Sequence, residues 1–287
     1  MFICDSQVHI WAEETRDRPW TPGGQELVHD MGHRPKPIGY EELKELMDEA
    51  RVDRALIVPP TWDMDRNDLG LEAATKYPDR FGLICRVPLL DPKNGEFLLR
   101  KLIDDPAVKG VRLTFFRKEE ATWLFDGTAD WYWPVAQELE VPTMIHAAKF
   151  CPQVAEIAEK FPDLNLIIDH MGVPGGTKDE NCRPYVDATV SLSKFENVSV
   201  KLSGLPAKTS ESYPYKKLEP YVQKLIESFG PERCFWGTDL SRILGAVGGS
   251  YRDCVTHFTE EMKFLSSEEV DLIMGRSLCN KLDWPIP

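Results

Sequence analysis

The sequence predicts an α/β protein folded as a single (β/α)8 TIM barrel, elaborated by a long loop after the first strand. Two observations carry that prediction. Apolar strand-like runs alternate with amphipathic helical segments eight times over 287 residues. No glycine-rich phosphate turn follows the first run, as a doubly wound open sheet would normally require. The strand-like runs are residues 2–8, 54–58, 82–87, 108–114, 141–146, 164–170, 198–202 and 233–239. The helical segments between and after them are residues 40–50, 67–76, 95–103, 130–139, 151–160, 185–194, 215–229 and 251–264.

Punctuation supports this register. Lys76-Tyr77-Pro78-Asp79 and Lys160-Phe161-Pro162-Asp163 each stop a helix just before a strand. A capping box, Ser266 with Glu269, opens a last helix through Met274 that is expected to end at Gly275. No repeat, linker or low-complexity tract interrupts the chain, so residues 1–287 read as one domain. The connection from Glu13 to Gly39 is unusually long, and loops of that length are generally functional or disordered. Its preferred reading is a lid or pocket wall over the barrel mouth. An arm packed on a neighbouring subunit is the alternative.

Composition excludes several classes. The net charge is −13, which argues against nucleic acid and anionic membrane surfaces as partners. No apolar run approaches a membrane span, and Asp5 and His9 interrupt the N-terminal run, so no secretory signal is expected there. Seven scattered cysteines without a C-x-x-C pair read as free thiols in a reducing compartment, so the expected location is cytoplasmic. Oligomeric state stays open, with a homo-oligomer among the options.

The chemistry-bearing residues cluster at predicted strand tips. Strand side chains alternate, so Gln7 and His9 share a face, with Asp5 one layer deeper. In a closed ring the last strand neighbours the first, which puts Asp239 beside Gln7 and His9. Gly237 leaves room above the core. His146 and His170 stand at the fifth and sixth tips, across the mouth. Because His170 follows Asp169, alternation requires one of the two to face outward. Three imidazoles and a carboxylate on four strand tips suit a hydrolytic or metal site. Arg112, Arg117, Lys149 and Arg242 lie near tips and are expected to bind a substrate carboxylate. Trp11 is expected in the pocket wall, with core packing as its alternative. His257 is expected at the surface. His29 and His33 sit on the long connection and could line such a lid, with no catalytic role assigned.

These pieces together resemble the amidohydrolase superfamily, in the branch of lactonases, 2-pyrone-4,6-dicarboxylate hydrolase and related decarboxylases. The resemblance rests on Asp5-Ser6-Gln7-Val8-His9, Gly110-Val111-Arg112, Ile145-His146, Asp169-His170-Met171-Gly172, Lys201-Leu202-Ser203-Gly204 and Gly237-Thr238-Asp239, and closes with residues 273–282. The family's first motif is normally His-x-His, and both imidazoles bind a divalent metal. Here the first position is Gln7, whose amide is a poor ligand for zinc-like metals. No bridging lysine or glutamate appears on strand four, where Arg112 and Thr114 stand. The resemblance therefore implies a hydrolase without a metal cofactor. One divalent ion, zinc or manganese, on His9, His146 and Asp239 is the alternative.

The expected chemistry is hydrolysis of a small carboxylate-bearing lactone or ester. Asp239 acts as general base on water, while His9, His146, His170 and the Gln7 amide polarise the carbonyl. A metal-dependent decarboxylase or amide hydrolase of the same superfamily is the runner-up. A non-catalytic small-molecule-binding barrel is the reading from another class.

Overall fold

Eight parallel strands lie side by side in chain order in the computed structural model, which describes residues 1–118 and 120–286. They are β1 Cys4–Val8, β2 Arg54–Ile57, β3 Phe81–Cys85, β4 Val108–Thr114, β5 Thr143–His146, β6 Leu166–Ile168, β7 Val198–Ser203 and β8 Cys234–Gly237. The ring closes where β8 returns to β1. There the Asp239 amide donates to the Gln7 carbonyl at 2.9 Å. The fold is the expected (β/α)8 barrel.

The seam explains Asp5. The register of β1 against β2 shifts between Asp5 and Val8, a bulge that breaks strict alternation. Cys4 joins the inner cluster with Leu56 and Phe235. The Asp5 carboxylate instead accepts from the amides of Gln7 and Thr238, the Thr238 hydroxyl and the Tyr251 hydroxyl. Asp5 thus staples β1 to β8 and does not sit beneath Gln7 in the lumen, as simple alternation required. Gly237 belongs to the same staple, since a Cβ there would lie 2.5 Å from Ser6 Oγ.

The outer layer is α1 Gly24–Asp30, α2 Tyr40–Ala50, α3 Asp68–Lys76, α4 Pro92–Ile103, α5 Tyr132–Glu138, α6 Cys151–Lys160, α7 Arg183–Val190, α8 Glu219–Phe229, α9 Leu240–Arg242, α10 Tyr251–Thr256, α11 Ser267–Asp271 and α12 Ser277–Lys281. Helix α8 starts later than residue 215, because Tyr215 is left-handed and Pro220 occupies the first turn. Helix α10 runs into a π-helical turn at His257–Glu261, which re-phases its faces. His257 is consequently buried at 1% exposure, against Tyr215 and Phe258, and not at the surface. Burial lowers its pKa to about 4.

The expected capping box at Ser266 and Glu269 forms. The helix does not stop at Gly275, however; it passes through a π turn at Leu272–Arg276 into α12. Gly275 acts here by what it lacks: a Cβ would sit 2.9 Å from the Cys4 nitrogen and the Phe2 oxygen. That close approach seats α12 under the barrel. Leu278, Cys279, Leu282 and Trp284 then fill the floor against Cys4, Leu56, Ile84, Met144, Ile167 and Phe235. The floor is apolar, so polar chemistry is confined to the opposite end. All seven cysteines are free and buried. Among the described residues, no helix is long and apolar enough to cross a membrane.

The long connection folds over its own barrel mouth. It carries α1 and then pairs, backbone to backbone, with the segment after β8. The Arg34 amide donates to the Ser241 carbonyl at 2.8 Å and the Ala246 amide to the Gly32 carbonyl at 3.0 Å. Gly245 permits this approach, since a Cβ there would meet the Gly32 oxygen at 2.5 Å. The connection is therefore a wall of the mouth, tied to the segment after β8.

Candidate active site

The C-terminal mouth holds a cavity of about 520 Å3, with His9, His146, His170 and Asp239 on its walls. Strand ends supply each of them. His9 follows β1 and His146 ends β5. Asp239 lies two residues past β8 in the left-handed region, with φ 55°. β6 stops at Ile168, and His170 and Met171 both take left-handed angles, φ 53° and 58°. That turn defeats alternation: Asp169 and His170 both face inward, where one was expected to point out.

Hydrogen bonds fix the protonation pattern. His9 Nδ1 is 2.6 Å from the Val58 carbonyl, which only accepts, so Nδ1 carries the proton and Nε2 the lone pair. The Gln7 amide nitrogen lies 3.3 Å from that lone pair, and the Lys201 ammonium donates to the Gln7 oxygen at 2.8 Å. Lys201 also meets Asp169 at 2.9 Å, and Arg112 Nε donates to Asp169 at 2.7 Å. Burial pushes the Asp169 carboxyl up, but Lys201 and Arg112 override it and hold it far below the carboxylate range. A buried chain of groups, Arg112–Asp169–Lys201–Gln7–His9, thus runs under the pocket floor. Gln7 is fully buried within it and does not touch the cavity.

Above this chain sits Asp239. Its Oδ1 is 3.4 Å from His9 Nε2 and has no hydrogen-bond partner. Its Oδ2 is 3.7 Å from Arg242. Burial raises the carboxyl, and the protonated forms of His170, His33 and His9 together with Arg242 lower it; once the imidazoles are neutral, Arg242 is the cation left beside it. The imidazoles are neutral. Burial lowers His9 to about 4 and His170 to about 3, and lowers His146 well below its ordinary value with help from Arg112. His170 Nδ1 meets Ser203 Oγ at 2.9 Å, whereas His146 Nδ1 is unpartnered. The two rings pack edge to face, centroids 5.3 Å apart.

The expected cations divide. Arg112, Lys149 and Arg242 line the cavity. Arg117 does not; it faces a neighbouring cavity and lies 3.9 Å from Glu120. Trp11 is a correction too. It is 2% exposed and packs edge-on against Trp62, which takes the place in the wall. Its strand-end position was read correctly, but its ring points into the layer behind.

Three residues of the site had no chemical role assigned from the sequence. His33, from the long connection, lines the cavity and bonds Ser241 Oγ through Nδ1 at 2.7 Å. Burial lowers it to about 3. Lys208 lies in a short turn after β7, with its ammonium on the Val173 and Pro174 carbonyls. Burial, with Arg242 nearby, lowers it to about 7. Lys201 stood in a recognised strand-seven segment, and only its alternation with Ser203 into the lumen hinted at its part.

The comparisons with known proteins bear on this site. The amidohydrolase family's sequence profile matches residues 4–286. The chain belongs to the amidohydrolase family. It is 25% identical over 258 residues to the L-fucono-1,5-lactonase of Burkholderia ambifaria, covering 86% of this chain and 83% of that one. It is 27% identical over 213 residues to the 4-sulfomuconolactone hydrolase of Hydrogenophaga intermedia, covering 72% of this chain and 66% of that one. In structure it is similar to an amidohydrolase from Burkholderia multivorans crystallised with zinc, at TM-score 0.78 and 18% identity, covering 99% and 100% of the two chains.

Proposed function

We propose that this amidohydrolase opens a lactone of a small carboxylate-bearing organic acid, with Asp239 as the base. Family membership and relatives named as lactone hydrolases make it a hydrolase. The observation that carries the finer reading is the Asp239 carboxylate, buried on the wall of a cavity lined by neutral imidazoles, with Oδ1 unpartnered and Arg242 beside Oδ2. A carboxylate so placed takes a proton from water. His146 and His170 keep N–H capacity toward the cavity and receive the charge that develops on the carbonyl oxygen. His9 has spent its proton on Val58, so in our reading it does not donate to the oxyanion. The proton held by Asp239 returns to the leaving alkoxide as the ring opens. Arg112, Arg242 and Lys149 hold the substrate's carboxylate.

The family implies a metal, so its fit matters. Among the described residues no three His, Cys, Asp or Glu side chains converge as ligands. The His9 lone pair faces an amide N–H that Lys201 holds in place. A divalent ion there would meet that N–H and a nearby ammonium. This donor set does not fit a metal, and the mechanism routes no step through one.

The test is ring opening by purified enzyme, followed by acid release across five- and six-membered lactones with and without a carboxylate. Turnover that persists after chelator treatment is expected, fastest on carboxylate-bearing rings. No turnover of any lactone, with carbon dioxide released from an aromatic acid once manganese or zinc is added, would overturn the reading in favour of a decarboxylase.

A further inference from the structure

A second cavity, of about 300 Å3, lies among the loops that follow β2, β3 and β4. It shares Thr61 and Arg112 with the main pocket, so Arg112 forms the partition between them. Three of its wall residues carry buried polar atoms without a partner: Arg86 Nε, Thr114 Oγ1 and Glu120 Oε2. These residues are 7%, 4% and 9% exposed. A buried polar atom left unpaired is costly, so three around one hollow mark a surface that something else completes.

The wall chemistry narrows what completes it. Among the described residues, Arg86, Arg112 and Arg117 face Asp65, Asp91 and Glu120 across the same cavity. Arg86 lies 3.6 Å from Asp65, and neither Arg86 Nε nor Glu120 Oε2 has a hydrogen-bond partner. Both signs therefore keep hydrogen-bonding capacity. An anion would gain from one set and be repelled by the other. A hydroxyl does both jobs, accepting from a guanidinium while donating to a carboxylate. Trp123 adds a half-buried indole face for the C–H side of such a ligand.

We propose that this side cavity is a binding site for a neutral polyhydroxylated group, such as a sugar ring or polyol chain. In the substrate, that group extends past Arg112 from the ring being opened. The binding claim stands on the cavity alone; the link to turnover rests on the lactonase reading.

Saturation-transfer NMR with free glucose, galactose and xylitol tests binding, with inorganic phosphate and acetate as anionic probes. We expect the polyols to bind at millimolar levels and the anions not to compete. Glu120→Gln and Trp123→Leu should each weaken the polyols at least fivefold, with circular dichroism verifying the fold. In turnover, both variants should lower kcat/KM for a polyhydroxylated lactone about tenfold and leave an unsubstituted lactone unchanged. Polyol binding without any lactone turnover would sink the lactonase reading and keep the site. Absence of polyol binding, binding unaffected by both variants, or tighter binding of phosphate would overturn the proposal.

Discussion

Asp239 is the residue on which the chemistry turns. Asp239→Asn keeps the side chain's size and removes its basicity, so kcat should fall about 10²–10⁴-fold while substrate binding survives. A loss confined to KM would move Asp239 from base to binder. Lys208 makes a second, pH-dependent statement. Its pKa lies near 7, below the ordinary 10.5, so it is a cation below that point and neutral above it. If its charge helps hold the substrate carboxylate, kcat/KM declines as pH rises through about 7, and Lys208→Met abolishes that limb. An unchanged limb in the variant would assign the titration elsewhere. The unfolded chain keeps this proton up to about 10.5, so the Lys208 contribution to stability rises with pH between about 7 and 10.5. At Gln7 the amide stands where the His9 lone pair would otherwise be open. Gln7→His should raise zinc affinity, measured by calorimetry on the apo protein. Equal affinity in both forms would mean that Gln7 does not guard the site.

At the scale of the element, one side chain ties the two ends of the ring together. Asp5 gathers four donors at the β1–β8 seam. Asp5→Ala orphans them and should cost about 2–4 kcal/mol in denaturant unfolding, whereas a change under 1 kcal/mol would show that the seam holds by packing. Burial raises the Asp5 pKa from 3.8 to about 6, so its contribution is full below 3.8 and lost as pH rises through about 6. Asp5→Asn should flatten that part of the pH–stability curve. The strands and most helices were legible because both periodicities recur with clean punctuation, and helices 40–50 and 151–160 match to the residue. The failures share a cause. The bulge at Asp5, the left-handed turn at His170 and the π turns at residues 257 and 272 each shift phase by about one residue, which a periodic reading cannot register. The site was legible where strand order alone brings tips together: Asp239 to His9, and His146 to His170. It was illegible where a loop delivers the group without a motif, as with Lys208. Trp11 failed because a strand-end position fixes proximity and not direction.

For the whole molecule, polarity is segregated along the barrel axis. The mouth holds ionised and hydrogen-bonding groups, and the floor holds an apolar cluster sealed by α12. Removing residues 277–287 would expose Leu56, Ile84, Met144 and Phe235 to water. The truncated chain should lose cooperative thermal unfolding and aggregate. A sharp transition within a few degrees of the full chain would mean that the floor carries little of the stability.

The backbone pairing between residues 32–34 and 241–246 has a consequence for access. A wall tied by amide–carbonyl bonds must break them to swing aside, so while they hold, entry is through the remaining gap, and the size of that gap sets an upper bound on admissible guests. Rebuilding the enzyme for bulkier compounds would then begin with the glycines at 32 and 245, which set how closely the two segments approach, and only afterwards with the residues that meet the ring.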